Sequence, residues 1–364
     1  MAYVAARGGE QAIQEAERLF AELRGGLSPG RVLAVQEALP YLLDRVMGEA
    51  SLYAPELAAL ALAQTGGELY EAVLLLRAYR TTQPRLGYAQ PVEQDQLLTL
   101  RRISAAFKDL PGGQVLGPTL DYSHRVLRLE VVKNGATLLE QASLAQQPAP
   151  PHYPALAAWQ RQAGLLPAHT PDQTPLDEIP DLTREPLLFP APRAHQLQGL
   201  ARGDTGGILT LGYADMRGYG ISHPTINEVR LGEAEVRLCH PGTGSVFSAG
   251  RVRVSQAEIV SKFAGSAEKP ELELGFAATL GWNEVKVIAA AMLELNMRSP
   301  EPHPAHTAEF VLYHTEPVEA SGFCIHYKLP HYVTFQSALE AMRRVREQPG
   351  PPQQAQEEPQ EVEP

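Results

Sequence analysis

Glu233-Ala234-Glu235-Val236-Arg237-Leu238 alternates charged and apolar residues without a break, and the run from Val246 to Val254 follows it closely. A period of two puts Ala234, Val236 and Leu238 on one face of a strand and Glu233, Glu235 and Arg237 on the other. Gly250 interrupts the second run and predicts a bulge there. Upstream, Ile208 to Tyr213 reads as another strand, and downstream Asn283 is placed to cap a helix running to about Asn296. A last helix carries Phe335, Ala338, Leu339, Met342 and Val345 on one face, with Thr334 as its cap and Arg343, Arg344 and Arg346 near its carboxyl end. Residues 196–346 therefore read as a mixed α+β unit.

The amino-terminal third reads differently. Ile13, Ala16, Leu19, Phe20 and Leu23 recur at helical spacing, Ser28-Pro29 is a cap followed by a first-turn proline, and Pro40 divides the segment that follows. Pro55-Glu56 opens a helix that Gly66-Gly67 closes, and Glu68 to Thr81 forms the next, ending before Pro84. Residues 1–110 are thus a helical unit. Between 111 and 147 a Gly-Pro-rich loop leads to Leu127, Leu129 and Val131 alternating with Arg128 and Glu130. Asn134-Gly135 then predicts a hairpin turn into Thr137 to Leu139. Eleven prolines from Pro148 to Pro192 exclude a long helix or central strand, so 148–195 reads as a connector over the surface or around a neighbour, with one helical turn near Leu156 to Gln162. The whole is α+β: a helical amino-terminal unit, a proline-rich connector and a mixed carboxy-terminal unit.

With 364 residues, 44% of them hydrophobic, the chain can bury a substantial core. No apolar run approaches the roughly 20 residues of a membrane span and no apolar signal core opens the chain, so a cytoplasmic location is expected. The net charge of −11 opposes nucleic-acid binding, and removing the five glutamates of the 347–364 tail still leaves −6. That tail, rich in proline and glutamine, reads as disordered. The two cysteines, Cys239 and Cys324, suit neither a disulfide framework nor an iron-sulfur cluster and read as free thiols, Cys324 as a buried one.

Several groups could carry chemistry. His326 and His331 flank Lys328-Leu329-Pro330, and the proline forbids a continuous helix, so the imidazoles converge only across a bent loop or strand end. The spacing alone leaves a metal pair and two surface or internally satisfied histidines both open. On a strand, Cys324 would share the face of His326. Arg77 and Arg80 lie one helical turn apart, with Arg101, Arg102 and Lys108 beyond, a set able to meet a triphosphate or simply the carbonyls of a helix end. Arg217, Tyr219 and His223 offer a cation, a stacking ring and an imidazole on a glycine-rich loop. Pro111 to Thr119 lacks the Lys-Ser or Lys-Thr of a phosphate-binding loop and reads as a turn. Asp109, Asp121 and Glu228 read as acidic side chains in loops, and none rises above a structural role.

Leu74 to Thr82 (Leu-Leu-Leu-Arg-Ala-Tyr-Arg-Thr-Thr), Arg101 to Ser104, Lys108 to Thr119, Asp121 to Arg125, Arg217 to Gly220 with His223-Pro224, and His326 to His331 occur in that order along the chain. Together these blocks resemble the PhnI family, a subunit of bacterial carbon-phosphorus lyase. The resemblance implies a subunit working with PhnG, PhnH, PhnJ and PhnL, in which His326 and His331 bind zinc at the contact with the radical subunit PhnJ. It implies displacement of adenine from magnesium-bound ATP by an alkylphosphonate such as methylphosphonate, giving ribose 1-methylphosphonate 5-triphosphate. Without acceptor or partners it implies hydrolysis of the N-glycosidic bond of ATP or GTP. It assigns no catalytic acid, and a non-catalytic scaffold that completes its partner's site stays open as the other reading.

Overall fold

The computed structural model describes residues 9–135, 137, 152–168, 174–214, 217, 224–260, 264–265, 270–329 and 331–347. They fall into two units: Arg24–Ala320, and a smaller one combining Met1–Leu23 with Ser321–Pro364.

Proline and short polar caps set the early helices. Helix α1 covers Gly9–Arg24, α2 Pro29–Ala38, α3 Pro40–Ala50, α4 Pro55–Gln64 and α5 Leu69–Thr81. Ser28 accepts a hydrogen bond from the Arg31 amide, Pro29, Pro40 and Pro55 open their helices, and Glu68 accepts from the Glu71 amide, as the sequence predicts. Within the larger unit α3, α4 and α5 bury Leu43, Val46, Met47, Leu62, Val73 and Leu76 against one another.

The second core lies on an antiparallel sheet ordered β1-β2-β3-β6, built from β1 (Leu98–Ile103), β2 (Thr225–Cys239), β3 (Val246–Val260) and β6 (Leu274–Leu280). A two-residue ladder joins β4 (Ala264–Gly265) and β5 (Pro270–Glu271). Gly250, at φ 125°, falls where β2 and β3 slip register between Glu235 and Arg237, so the expected bulge is present. The helices α8 (Arg193–Arg202), α9 (Thr205–Ala214), α10 (Glu284–Met297) and α11 (Ala308–His314) pack with Val229, Ala257, Ile259 and Ala277 of the sheet. Gly275 permits this contact, because a Cβ there would lie 2.3 Å from the Ala291 carbonyl oxygen. Asp44 joins the helical cluster to the sheet end, its Oδ2 accepting from the Trp282 amide at 2.9 Å and from Arg253 at 3.0 Å.

Three expectations are corrected. Ile208 to Tyr213 belongs to α9: Asp204 accepts from the Gly207 amide at 2.6 Å, Ile208 is fully buried, and Gly212 rests on Ala289. A short apolar run has the same composition in a buried helix as in a strand, and here packing on α10 decides. Leu129–Asn134 forms a short helix, α6, rather than a hairpin arm; Gly135, at φ 64°, closes it with a left-handed cap. The other arm's Leu138 and Leu139 lie outside the described residues. The final helix, α13 (Tyr332–Glu347), begins before Thr334, which sits inside it.

The connector does more than cross the surface. Its helix α7 (Leu156–Gln162), where one helical turn is expected, buries Leu156, Ala157 and Gln160. Gln160 exchanges hydrogen bonds with Asn227 of β2 at 2.7 and 2.9 Å.

Candidate functional sites

In the smaller unit, helix α12 (Pro317–His326) ends at the first histidine of the pair. Three successive turn bonds follow, Tyr327 N–H to Cys324, Lys328 N–H to Ile325 and Leu329 N–H to His326, before the His331 carbonyl accepts the Phe335 amide at the head of α13. The pair therefore bridges a turn between two helices, not a strand end. The two Nε2 atoms face each other at 3.2 Å, with the rings at 87°. His331 Nδ1 lies 2.6 Å from the Leu329 carbonyl, which only accepts, so Nδ1 carries the proton and Nε2 presents its lone pair. A single neutral tautomer shift in His326 gives two converging lone pairs. Two nitrogens on one tetrahedral zinc, each about 2.0–2.1 Å from the ion, stand about 3.3 Å apart, so the residues fit this metal. Among the described residues no group of three histidine, cysteine or acidic side chains could hold an ion. Cys324 is exposed rather than buried and sits two positions from His326 on a helix, which turns it away from that face.

Arg77 and Arg80 meet helix-end carbonyls, those of α3 rather than of their own helix. Arg77 donates to the Glu49 carbonyl at 2.8 and 3.1 Å, to the Arg202 carbonyl at 3.2 Å and to Glu316; Arg80 donates to the Ala50 carbonyl at 2.8 Å. Arg101 holds Glu284 and Asp121, and Arg102, completely buried, holds Glu228. Lys108 and Asp109 are exposed on a bend. Arg217 is exposed, 5.8 Å from the centre of the Tyr213 ring, while Tyr219 and His223 lie outside the described residues.

A larger feature that the sequence reading missed occupies the sheet face opposite α10. Arg102, Glu228 and Arg230 form a buried ion network there, Glu228 Oε1 accepting from both guanidiniums, and Glu258 of β3 pairs in register with Glu228. Glu258 accepts from Gln94 at 2.7 Å and Asn227 at 2.9 Å. Burial, reinforced by the charge of Glu228, raises its carboxyl pKa above the ordinary range. This group forms part of a cleft of about 1020 Å³, lined also by Ala158, Arg161, Arg193, Phe276 and Arg298. The missed signal was the interruption of apolar strand positions by Glu228, Arg230 and Glu258 in residues that the alternation leaves facing away from the core.

The family described as "Bacterial phosphonate metabolism protein (PhnI)" matches residues 2–349. The chain is 42% identical over 354 residues to the alpha-D-ribose 1-methylphosphonate 5-triphosphate synthase subunit PhnI of Rhizobium meliloti (strain 1021), covering 94% of this chain and 95% of that one. It is 39% identical over 356 residues to the protein of the same name from Escherichia coli (strain K12), covering 95% and 99%. With the match running nearly end to end through every block that carries the resemblance, this chain belongs to the PhnI family of bacterial phosphonate metabolism proteins.

Proposed function

We propose that this chain is the subunit of the carbon-phosphorus lyase system that displaces adenine from ATP with methylphosphonate, forming ribose 1-methylphosphonate 5-triphosphate. The near full-length match to two relatives bearing the name of that synthase subunit carries the reading. PhnG, PhnH, PhnJ and PhnL are its partners in this reading, with magnesium accompanying the nucleotide. His326 and His331 would hold zinc through their Nε2 atoms, a choice supported by the 3.2 Å separation and by the Leu329 carbonyl that fixes the His331 tautomer. When bound, such an ion supplies Lewis acidity and a fixed positive charge for an anionic oxygen. The chain's own part is to orient two imidazoles across a turn and leave the remaining coordination positions to substrate, water or a neighbouring subunit.

Two imidazoles leave coordination positions of a tetrahedral ion open, which favours a second role alongside the first, as a scaffold that helps build a partner's site. The experiment is chromatographic: purified chain with magnesium ATP or GTP is assayed for free base, then again with methylphosphonate and the partner subunits. Base release by the chain alone supports an autonomous nucleosidase; release only with partners supports a shared site; no release in either setting overturns the reading. His326→Ala and His331→Ala are expected to spare base release and abolish later carbon-phosphorus cleavage. Equal loss of both activities would refute that division of labour.

A further inference from the structure

The cleft over β3 and α7 combines three properties that the histidine turn lacks: volume, enclosure by the fold of the larger unit, and a buried acid. Its volume of about 1020 Å³ is at the upper end of that of small-molecule sites, which run to about 1,000 Å³. Glu258 is 2% exposed, yet both of its oxygens are held by neutral amides, those of Gln94 and Asn227. Neither amide brings a charge that would force the carboxyl to ionise. Glu228, its register partner, already accepts from Arg102 and Arg230, so the cations of this face are engaged elsewhere while its negative charge opposes a second one. The amide donors and Arg230 favour the ionised form, but burial and the charge of Glu228 outweigh them, so Glu258 holds its proton to a higher pH than an exposed glutamate does.

The neighbours of Glu258 suit a particular ligand. Phe276 pairs in register with Glu258 on the adjacent strand, so a ring and an acid stand side by side on one face of the sheet. Ala157 and Ala158 of α7 and Leu166 add an apolar wall. Arg161 contributes an Nε with no hydrogen-bond partner, and Arg193, its side chain 53% exposed, shares Glu294 with Arg298. Flat apolar surface, an acid and several guanidiniums together match a purine nucleotide with a phosphate chain. The acidic side chains that also line the cleft, among them Asp95 and Glu273, match a phosphate chain that arrives with its divalent cation rather than bare.

We propose that this cleft is the base-release site and that Glu258 is the catalytic residue that protonates the departing purine; the assignment rests on the nucleosidase reading above. The C1′–N9 bond breaks with its electron pair leaving on the base. The Glu258 proton passes to a ring nitrogen, so the base departs neutral. An oxygen of the phosphonate monoanion forms the new bond to C1′, and the proton that the phosphonate loses restores Glu258. With water as acceptor, the proton lost by water does the same. No oxidant or reductant is needed.

The test is Glu258→Gln in the full chain assembled with its partner subunits, with base release measured from magnesium ATP and methylphosphonate. Glutamine keeps the shape and loses the acid. Release is expected to fall about 10²- to 10⁴-fold, the range of general acid catalysis. An analogue whose C1′ leaving group is 4-nitrophenolate needs no proton and is expected to react at close to the rate of the unaltered complex. A Glu258→Gln complex that releases adenine at the unaltered rate, or that slows both substrates equally, overturns the assignment. If the unaltered complex releases no base, it is the nucleosidase reading that fails instead. Should Glu258→Gln not fold, Ala158→Trp reads the same cleft from an exposed helix position: KM for ATP is expected to rise at least tenfold, and an unchanged KM overturns the site.

Discussion

Lys286 shows how one residue sets a pH response. It is buried in the first turn of the apolar helix α10, and its Nζ donates to the Ala201 carbonyl at 2.6 Å. Burial pushes its pKa down from 10.5 to about 8. Between these two values the unfolded chain binds a proton that the folded chain has released, so stability rises as pH goes from about 8 to about 10.5; below 8 both states are charged and the rise is absent. The rise amounts to about 3 kcal/mol at most. Denaturant unfolding at pH 7, 9 and 10 should show it, and Lys286→Met should flatten it. An identical pH profile in the variant would show that Lys286 is not its source. No local signal marks this group, because a lysine inside Glu284–Met297 reads as the polar face of an amphipathic helix until α8 and α9 are known to cover that side.

At the scale of elements, legibility followed local physics. Caps and prolines are covalent or nearest-neighbour signals, so α2 to α5 fall where Ser28, Pro40, Pro55, Gly66-Gly67 and Glu68 place them. The 233–238 stretch of β2, the 246–254 stretch of β3 and the Gly250 bulge were equally readable from alternation. What failed depended on partners distant in sequence. Asn134-Gly135 serves a hairpin turn or a helix end equally well, and only the conformation of the preceding residues separates them. The histidine pair was readable as a pair, but its place between α12 and α13 was not, since Leu329-Pro330 marks a break without saying what flanks it. The contact of β6 with α10 gives an element-scale prediction: Gly275→Ala should destabilise the protein by about 1–3 kcal/mol, because the added methyl meets the Ala291 carbonyl and Leu295 with no room to retreat. A shift in the urea midpoint checks it, and an unchanged midpoint would mean that the helix and strand separate more easily than their packing implies.

Across the whole molecule, the four-stranded sheet separates two kinds of interior. One face is dry and covered by α8 to α11; the other holds Arg102, Glu228, Arg230 and Glu258 beneath α7 and the loop around Gln94. Among the described residues no helix is long and apolar enough to cross a membrane. The polar face is closed by distant parts of the chain, for β1 pairs with β2 across more than a hundred residues, and the Tyr153 and Pro154 carbonyls accept from Arg230. Chain closure of that length is slow compared with pairing the neighbouring β2 and β3. The order of assembly follows: the β2-β3-β6 meander and α10 condense first, and the edge strand with its proline-rich cover arrives last. Pulse-labelling hydrogen exchange during refolding should protect Val229 and Ile259 amides before those of Leu165 and Leu272, whose backbone groups join at 2.8 Å beside the cleft. Simultaneous protection would refute that order. A nascent chain would then carry an open, unpaired ionic surface until its cover docks, and a nucleotide that fits the cleft would act as a late-stage folding ligand as well as a substrate.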